Sequence, residues 1–149
     1  ARRFNTRSLR LFGMNARVCL EFTAGITMEN LAKLIKNLQN ASLYDHPVTR
    51  FEVIETHISH VILTGDYVYK FKKPLDLEFL DFSTLEKQLF FCQEEIRLNK
   101  KMACETYLGV VKITGTVDEP VLNGDGQAIA YAVKMREFPQ AQIFDHLRN

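Results

Sequence analysis

The chain has 149 residues, 46% of them hydrophobic and 25% charged, with a formal net charge of +1. That is enough for one ordinary domain with a real core, and the balance does not select a polyanion as partner. No apolar run reaches the roughly 18 residues of a membrane helix. The three cysteines, Cys19, Cys92 and Cys104, form no C-x-x-C pair, which fits reduced thiols in a cytoplasmic-type compartment and not a disulfide framework.

Residues 1–27 stand apart. They hold five arginines against one acid, a net +4 that leaves −3 for the rest, and they lack periodicity. Such a composition suits a transit-type leader or, more simply, an upstream extension. This segment is expected to lie outside the fold. From Met28 the pattern sharpens. Leu31, Leu34, Ile35 and Leu38 recur at i, i+3, i+4 and i+7, one face of an amphipathic helix, with Thr27 as cap and Glu29 in the first turn. Asp45-His46-Pro47 closes that region. Phe51 to Thr56, His60 to Thr64 and Tyr67 to Lys73 read as three strands, the last two joined by a turn at Gly65-Asp66. Pro74 stops the third, and Leu75 to Phe82 reads as a loop. Ser83-Thr84-Leu85-Glu86 fits a capping box, opening a helix to about Met102. Leu108 to Thr114 and Ala128 to Met135 are two further strands around the Asn123-Gly124-Asp125-Gly126 turn. Residues 141–147 begin another helix. The expected fold class is α+β, an antiparallel five-stranded sheet packed on one long helix, with an N-terminal helix.

The third strand, Y-V-Y-K-F-K-K, concentrates the chemistry. Alternation puts Val68, Lys70 and Lys72 on one face and Tyr67, Tyr69, Phe71 and Lys73 on the other. A strand lysine is most often a solvated edge residue, so Lys70 gains interest only with a counter-ion. The following helix offers three acids. Glu86 is taken by the expected capping box. Glu94 shares a stripe with Lys87, Arg97 and Lys101, a solvated face. Glu95 falls with Phe91, Leu98 and Met102, an apolar stripe where a carboxylate is costly unless paired. Glu95 is therefore the expected partner of Lys70, with Glu94 second. Lys72 and Lys73 read as solvated residues or as guards against edge pairing; Phe90, Phe91 and Met102 read as core. His57 and His60, three apart on a strand-like segment, read as structural and not as a zinc pair. There is no Walker-type phosphate loop, and the short K-F-K-K-P run is a weak nucleic-acid signal on a net acidic domain.

Y-V-Y-K, followed one helix later by an inward Glu and then by a strand ending M-R-E-F-P, resembles the small lobe of the protein-kinase-like fold, most nearly that of the aminoglycoside phosphotransferase family. More narrowly, E-T-H-I-S, L-T-G-D-Y-V-Y-K-F-K-K-P, L-D-F-S-T-L-E-K, Y-L-G-V-V and Y-A-V-K-M-R-E-F-P-Q are similar to a bacterial aminoglycoside-phosphotransferase-like group whose members often carry a C-terminal P-loop kinase-like domain. The resemblance runs from Met28 to the end of the chain. It implies a nucleotide-binding small lobe over 28–138, with 139–149 the exit from the hinge into a large lobe. On that resemblance Lys70 holds the α- and β-phosphates of ATP and Glu95 orients it. Val68 packs on adenine, Met135 is the gatekeeper, and the backbone of Arg136 to Phe138 is the hinge that hydrogen-bonds adenine. The turn at Glu55 to Ser59 takes the place of the nucleotide-covering loop. It has no glycine, so Ser59 and backbone amides would have to cradle phosphate.

The family's H-G-D-type catalytic loop and its Mg²⁺ ligands are not in this stretch of sequence. The expectation is a fragment without catalytic or metal residues of its own. The whole protein would phosphorylate a small-molecule hydroxyl, with no nucleic-acid or membrane partner. A cleft face left open at Val68, Met135 and Phe138 would favour self-association. The rival expectation is a non-catalytic regulatory or interaction module in which Lys70–Glu95 is a structural ion pair.

Overall fold

The computed structural model describes residues 26–137. The expected leader lies almost wholly outside the described residues. So do Cys19, Phe138 and the segment 139–149 with its expected helix.

Helix α1, Met28–Asn37, begins where the Thr27 hydroxyl accepts the amide of Asn30, with Glu29 in the first turn. Its buried stripe is Leu31, Leu34 and Ile35, continued by Leu38 just beyond. A single 3₁₀ turn follows at Ala41–Leu43. The strands come next: β1 Glu52–Glu55, β2 Ser59–Leu63, β3 Tyr67–Lys72, the two-residue pair β4 Asp76–Leu77 and β5 Leu80–Asp81, then helix α2 Leu85–Lys100, β6 Tyr107–Gly115, β7 Pro120–Leu122 and β8 Ala130–Arg136.

The main sheet has six strands in the order β1-β2-β3-β8-β6-β7, and every neighbouring pair is antiparallel. The fold is α+β, as expected, but with one strand more than the five predicted. The extra strand, β7, pairs with the end of β6 through Gly115↔Pro120 and Ile113↔Leu122. Three residues starting with proline carry no readable alternation. An edge position tolerates a residue that cannot donate to the ladder. The 75–82 segment, expected as a plain loop, folds into the small β4–β5 hairpin.

Both faces of the sheet are covered, each by a different helix. On one face Leu31, Leu34, Ile35 and Leu38 of the α1 region pack with Ile62, Tyr69, Phe71, Val111, Ile113, Ala130 and Ala132. Each fully buried Leu or Ile contributes about 1.5–3 kcal/mol, so α1 is an integral layer of the core. On the other face α2 lies over β6 and β8, with Cys92 against Tyr107 and Val133. The expected division of β3 holds for Tyr69 and Phe71, which point under α1, and for Val68, which packs with Val61 and Leu63 on the α2 side.

Two local corrections bear on the site. The N-cap of α2 is Thr84, whose hydroxyl accepts the amide of Lys87. The capping box expected from Ser83 is therefore not formed. Ser83 instead donates its amide to Asp81, and Glu86 sits exposed in the first turn. The β2–β3 turn requires glycine at Gly65. Its φ is +110°, and a Cβ there would lie 2.0 Å from the Thr49 hydroxyl oxygen.

Candidate functional site

Strand β3 lies between β2 and β8, so its backbone is fixed on both edges. Lys70 stands opposite Val61 on β2 and Val133 on β8, both fully buried. Its side chain leaves the sheet on the side of α2. There its ammonium donates to Glu95 Oε1 at 2.8 Å. Two residues on, and therefore on the same face, Lys72 donates to Glu95 Oε2 at 2.9 Å. One carboxylate on the helix thus receives two lysines from one strand, one on each oxygen. The side chains are 16% exposed at Lys70, 9% at Lys72 and 14% at Glu95.

Burial opposes the charged form of Glu95. The two ammonium groups, through charge and hydrogen bonds, nevertheless hold its carboxyl below the usual glutamate range. Two positive charges against one negative leave a surplus of one. Among the described residues no other carboxylate is bonded to either lysine. Around this centre the Phe82 ring lies under the Lys72 ammonium, 5.1 Å from nitrogen to ring centre. The buried Cys92 thiol is pushed up to about 11, mainly by burial, which leaves it protonated and inert. The Asn99 amide donates to the Glu95 carbonyl at 2.7 Å.

The Lys70–Glu95 pairing predicted from sequence is formed. The stripe that selected Glu95 is only partly buried, however: Leu98 and Met102 are exposed, and so is Phe90, which with Met102 is expected as core. Glu95 is carried inward by Gln88 and Cys92, the two fully buried residues of α2. Glu94 behaves as expected, forming a two-pronged surface pair with Arg97 at 2.9 and 2.7 Å.

Lys72 and Lys73 are not the solvated residues expected. Lys72 shares Glu95. Lys73 is 7% exposed and donates to Glu55 at 2.7 Å on the opposite face. His60 is buried beside them with its pKa lowered, mainly by burial. No cluster of three or more metal-ligating residues occurs among the described residues. The signal for Lys72 was present in the sequence as the period-2 repeat with Lys70. Long side chains on one strand face, two residues apart, reach the same helix turn.

The other predicted residues distribute as follows. Val68 is buried against Val61, Leu63, Ile54 and Met135, so it does not form the open apolar face expected of it. Met135 bridges that cluster and the one beneath α2. Ser59 lies opposite Lys72 on the site face, but its hydroxyl is 2.7 Å from that of Thr56 and its amide donates to the same Thr56 oxygen. The β1–β2 turn is therefore closed by its own side chains. The Arg136 amide donates to the Thr106 carbonyl at 2.9 Å, and the Glu137 amide to the Asp66 carbonyl at 2.9 Å. The Glu137 carboxylate, missed in the sequence, accepts the Gly65 amide at 2.7 Å and pairs with Arg50. It ties the end of β8 to the β2–β3 turn. A shallow pocket of about 80 Å³ lies on the opposite, α1 side of the sheet, lined by Tyr44, Asp45, Tyr69 and Lys134 among others.

The chain is thus an α+β domain with a half-buried Lys-Glu-Lys centre between strand and helix, and no described helix is long and apolar enough to cross a membrane. Three mycobacterial proteins, one from Mycobacterium bovis and two from strains of Mycobacterium tuberculosis, each named only as an uncharacterized protein, are 40% identical to it over 83 residues. The match covers 52% of this chain and 17% of each relative, so the chain spans a minor part of those proteins. No family profile matches the chain, and no solved structure matches it.

Proposed function

We propose that this domain is the nucleotide-holding small lobe of a kinase-like, ATP-dependent phosphotransferase acting on a small-molecule hydroxyl. The observation that carries the reading is the 2.8 Å bond from Lys70 on a central strand to Glu95 on the helix that follows it. The strand order supports it. Without the edge strand β7, the sheet reads β1-β2-β3-β8-β6, five antiparallel strands in which α2 follows β3 in the chain and the last strand, β8, returns beside β3, as in a kinase-like small lobe.

The surplus positive charge on the Lys70–Glu95–Lys72 centre suits the phosphate oxygens of ATP, which need a fixed cation nearby. Lys70 would hold the α- and β-phosphates and Glu95 would keep it oriented. Met135 would border the base, with the buried Val68 packed against it in support, and the backbone from Arg136 would run along it. ATP supplies the phosphoryl group. With the Ser59 hydroxyl engaged by Thr56, phosphate contacts from the β1–β2 turn would fall to backbone amides. The base and the Mg²⁺ ligands would come from other segments of the whole protein.

The test is calorimetric titration of the full-length protein with MgATP. Lys70→Ala is expected to weaken binding tenfold or more, the scale of a lost charge-assisted contact. Unchanged affinity would falsify the phosphate role. It would leave the second reading, a non-catalytic module in which two lysines simply bolt α2 to the sheet. That reading is favoured by the shared bonding of both lysines to Glu95.

A further inference from the structure

The pocket on the α1 side of the sheet lies across the sheet from the Lys70–Glu95–Lys72 centre, and three parts of the fold meet around it. Lys134 on β8 stands directly opposite Tyr69 on β3, so both side chains leave the sheet on the α1 face. The chain after the 3₁₀ turn brings Tyr44 and Asp45 to one wall, and the end of β7 brings Leu122 and Asn123 to another. The volume is about 80 Å³. One water needs about 10–15 Å³, so a ligand of roughly five to eight non-hydrogen atoms has room.

Most polar groups of the lining are already bonded. The Tyr44 hydroxyl donates to the Leu38 carbonyl at 2.7 Å. The Tyr69 hydroxyl lies 2.8 Å from His46 Nε2. Burial above all, with Tyr44 and Asp45 adding to it, pushes the Tyr69 phenol well above its ordinary range, so this wall stays neutral. Three groups are left over. The half-buried Lys134 ammonium lies 4.4 Å from the centre of the Tyr67 ring and 5.8 Å from that of Tyr69, yet it forms no ion pair among the described residues. The exposed Asp45 forms none either. Asn123 uses its Oδ1 to accept the Lys112 amide at 3.2 Å, which leaves its side-chain nitrogen to donate elsewhere. Two opposite charges thus line one small pocket without reaching each other. An anion would meet the repulsion of Asp45, and a plain amine that of Lys134. A ligand carrying both charges satisfies both walls.

We propose that this pocket binds a small amino acid as its zwitterion, with Lys134 and Asn123 on the carboxylate and Asp45 on the ammonium. Leu43, Val111 and Leu122 complete the lining and give a short side chain an apolar wall. The volume excludes aromatic and long side chains. The site does not rest on the nucleotide reading, since it uses none of the same side chains.

The experiment titrates the full-length protein calorimetrically with glycine, L-alanine, L-serine and β-alanine. Propionate and ethylamine, which each keep one of the two charges, are the comparison ligands. At least one zwitterion is expected to bind with a Kd of about 1 mM or below. Propionate and ethylamine should each bind at least roughly tenfold more weakly, the scale of one lost charge-assisted contact. Lys134→Met keeps an apolar stem over the tyrosines and should weaken the zwitterion by about tenfold or more. Asp45→Asn, at an exposed position, should weaken it by about threefold or more and leave propionate binding no weaker. No saturation by any of the four at about 10 mM, ten times the expected Kd, would overturn the proposal. So would propionate or ethylamine binding as tightly as the best zwitterion, which would mean a site for one charge only. Unchanged zwitterion affinity in both variants would place the ligand elsewhere and overturn it as well.

Discussion

Replacing Glu95 with alanine would leave Lys70 and Lys72, each at most 16% exposed at the side chain, side by side without a counter-ion. Removing one partner of a buried ion pair costs about 3–5 kcal/mol, chiefly because the remaining charge is stranded. The site is partly open and the lysines have long stems that reach for water, so the loss expected is about 2–4 kcal/mol. At roughly 2–4 °C per kcal/mol for a domain of this size, the melting point should fall by several degrees or more. Glu94→Ala is the internal control. It breaks a pair on the same helix, but Arg97 there is 57% exposed, and exposed i,i+3 pairs contribute only about 0–0.5 kcal/mol.

Urea unfolding followed by circular dichroism at pH 7 compares the two. The pH dependence gives a second reading. The folded carboxyl of Glu95 lies below its ordinary value. Its contribution is therefore present in full above the ordinary glutamate range and lost as pH falls through the folded value. The gap between wild type and Glu95→Ala should be widest near neutrality and shrink in acid. Equal losses for the two variants, or a gap that widens toward acid, would refute the buried-pair argument.

Leu34→Ala, at a fully buried position of α1, should cost about 2–5 kcal/mol; a loss below 1 kcal/mol in the same urea assay would show that α1 is not a core layer. Gly65→Ala should destabilise by about 1–3 kcal/mol, since it combines a positive φ with a clash on Thr49. A melting point equal to wild type would argue against that turn geometry. Cys104 is exposed and Cys92 buried. Peptide mapping after a maleimide pulse should find Cys104 labelled in the native protein and Cys92 labelled only after unfolding. Rapid native labelling of Cys92 would contradict the packing beneath α2.

Much of this architecture is local enough to be written in the chain. The i, i+3, i+4, i+7 leucines of α1 and the alternation of Y-V-Y-K-F-K report their own geometry, because side-chain direction repeats with the period of the backbone. The turn glycine does the same, since only one residue type tolerates its φ. Strand β7 escaped because three residues beginning with proline have no period to show. The N-cap fell one residue later than expected, at Thr84, because Ser83 and Thr84 are chemically similar caps and the Ser83 amide is engaged by Asp81.

The centre itself divides along the same line. From sequence alone, one face of β3 carries Lys70 and Lys72, and the next helix carries a carboxylate able to turn inward. Tertiary structure decided how many lysines that carboxylate takes. The angle at which α2 crosses β6 and β8 sets whether one strand lysine or two come within hydrogen-bond reach of Glu95, and no local rule encodes that angle. It is fixed by long-range packing of Cys92 on Tyr107 and Val133. A period of two placed the lysines together, and the docking of a helix made them one site.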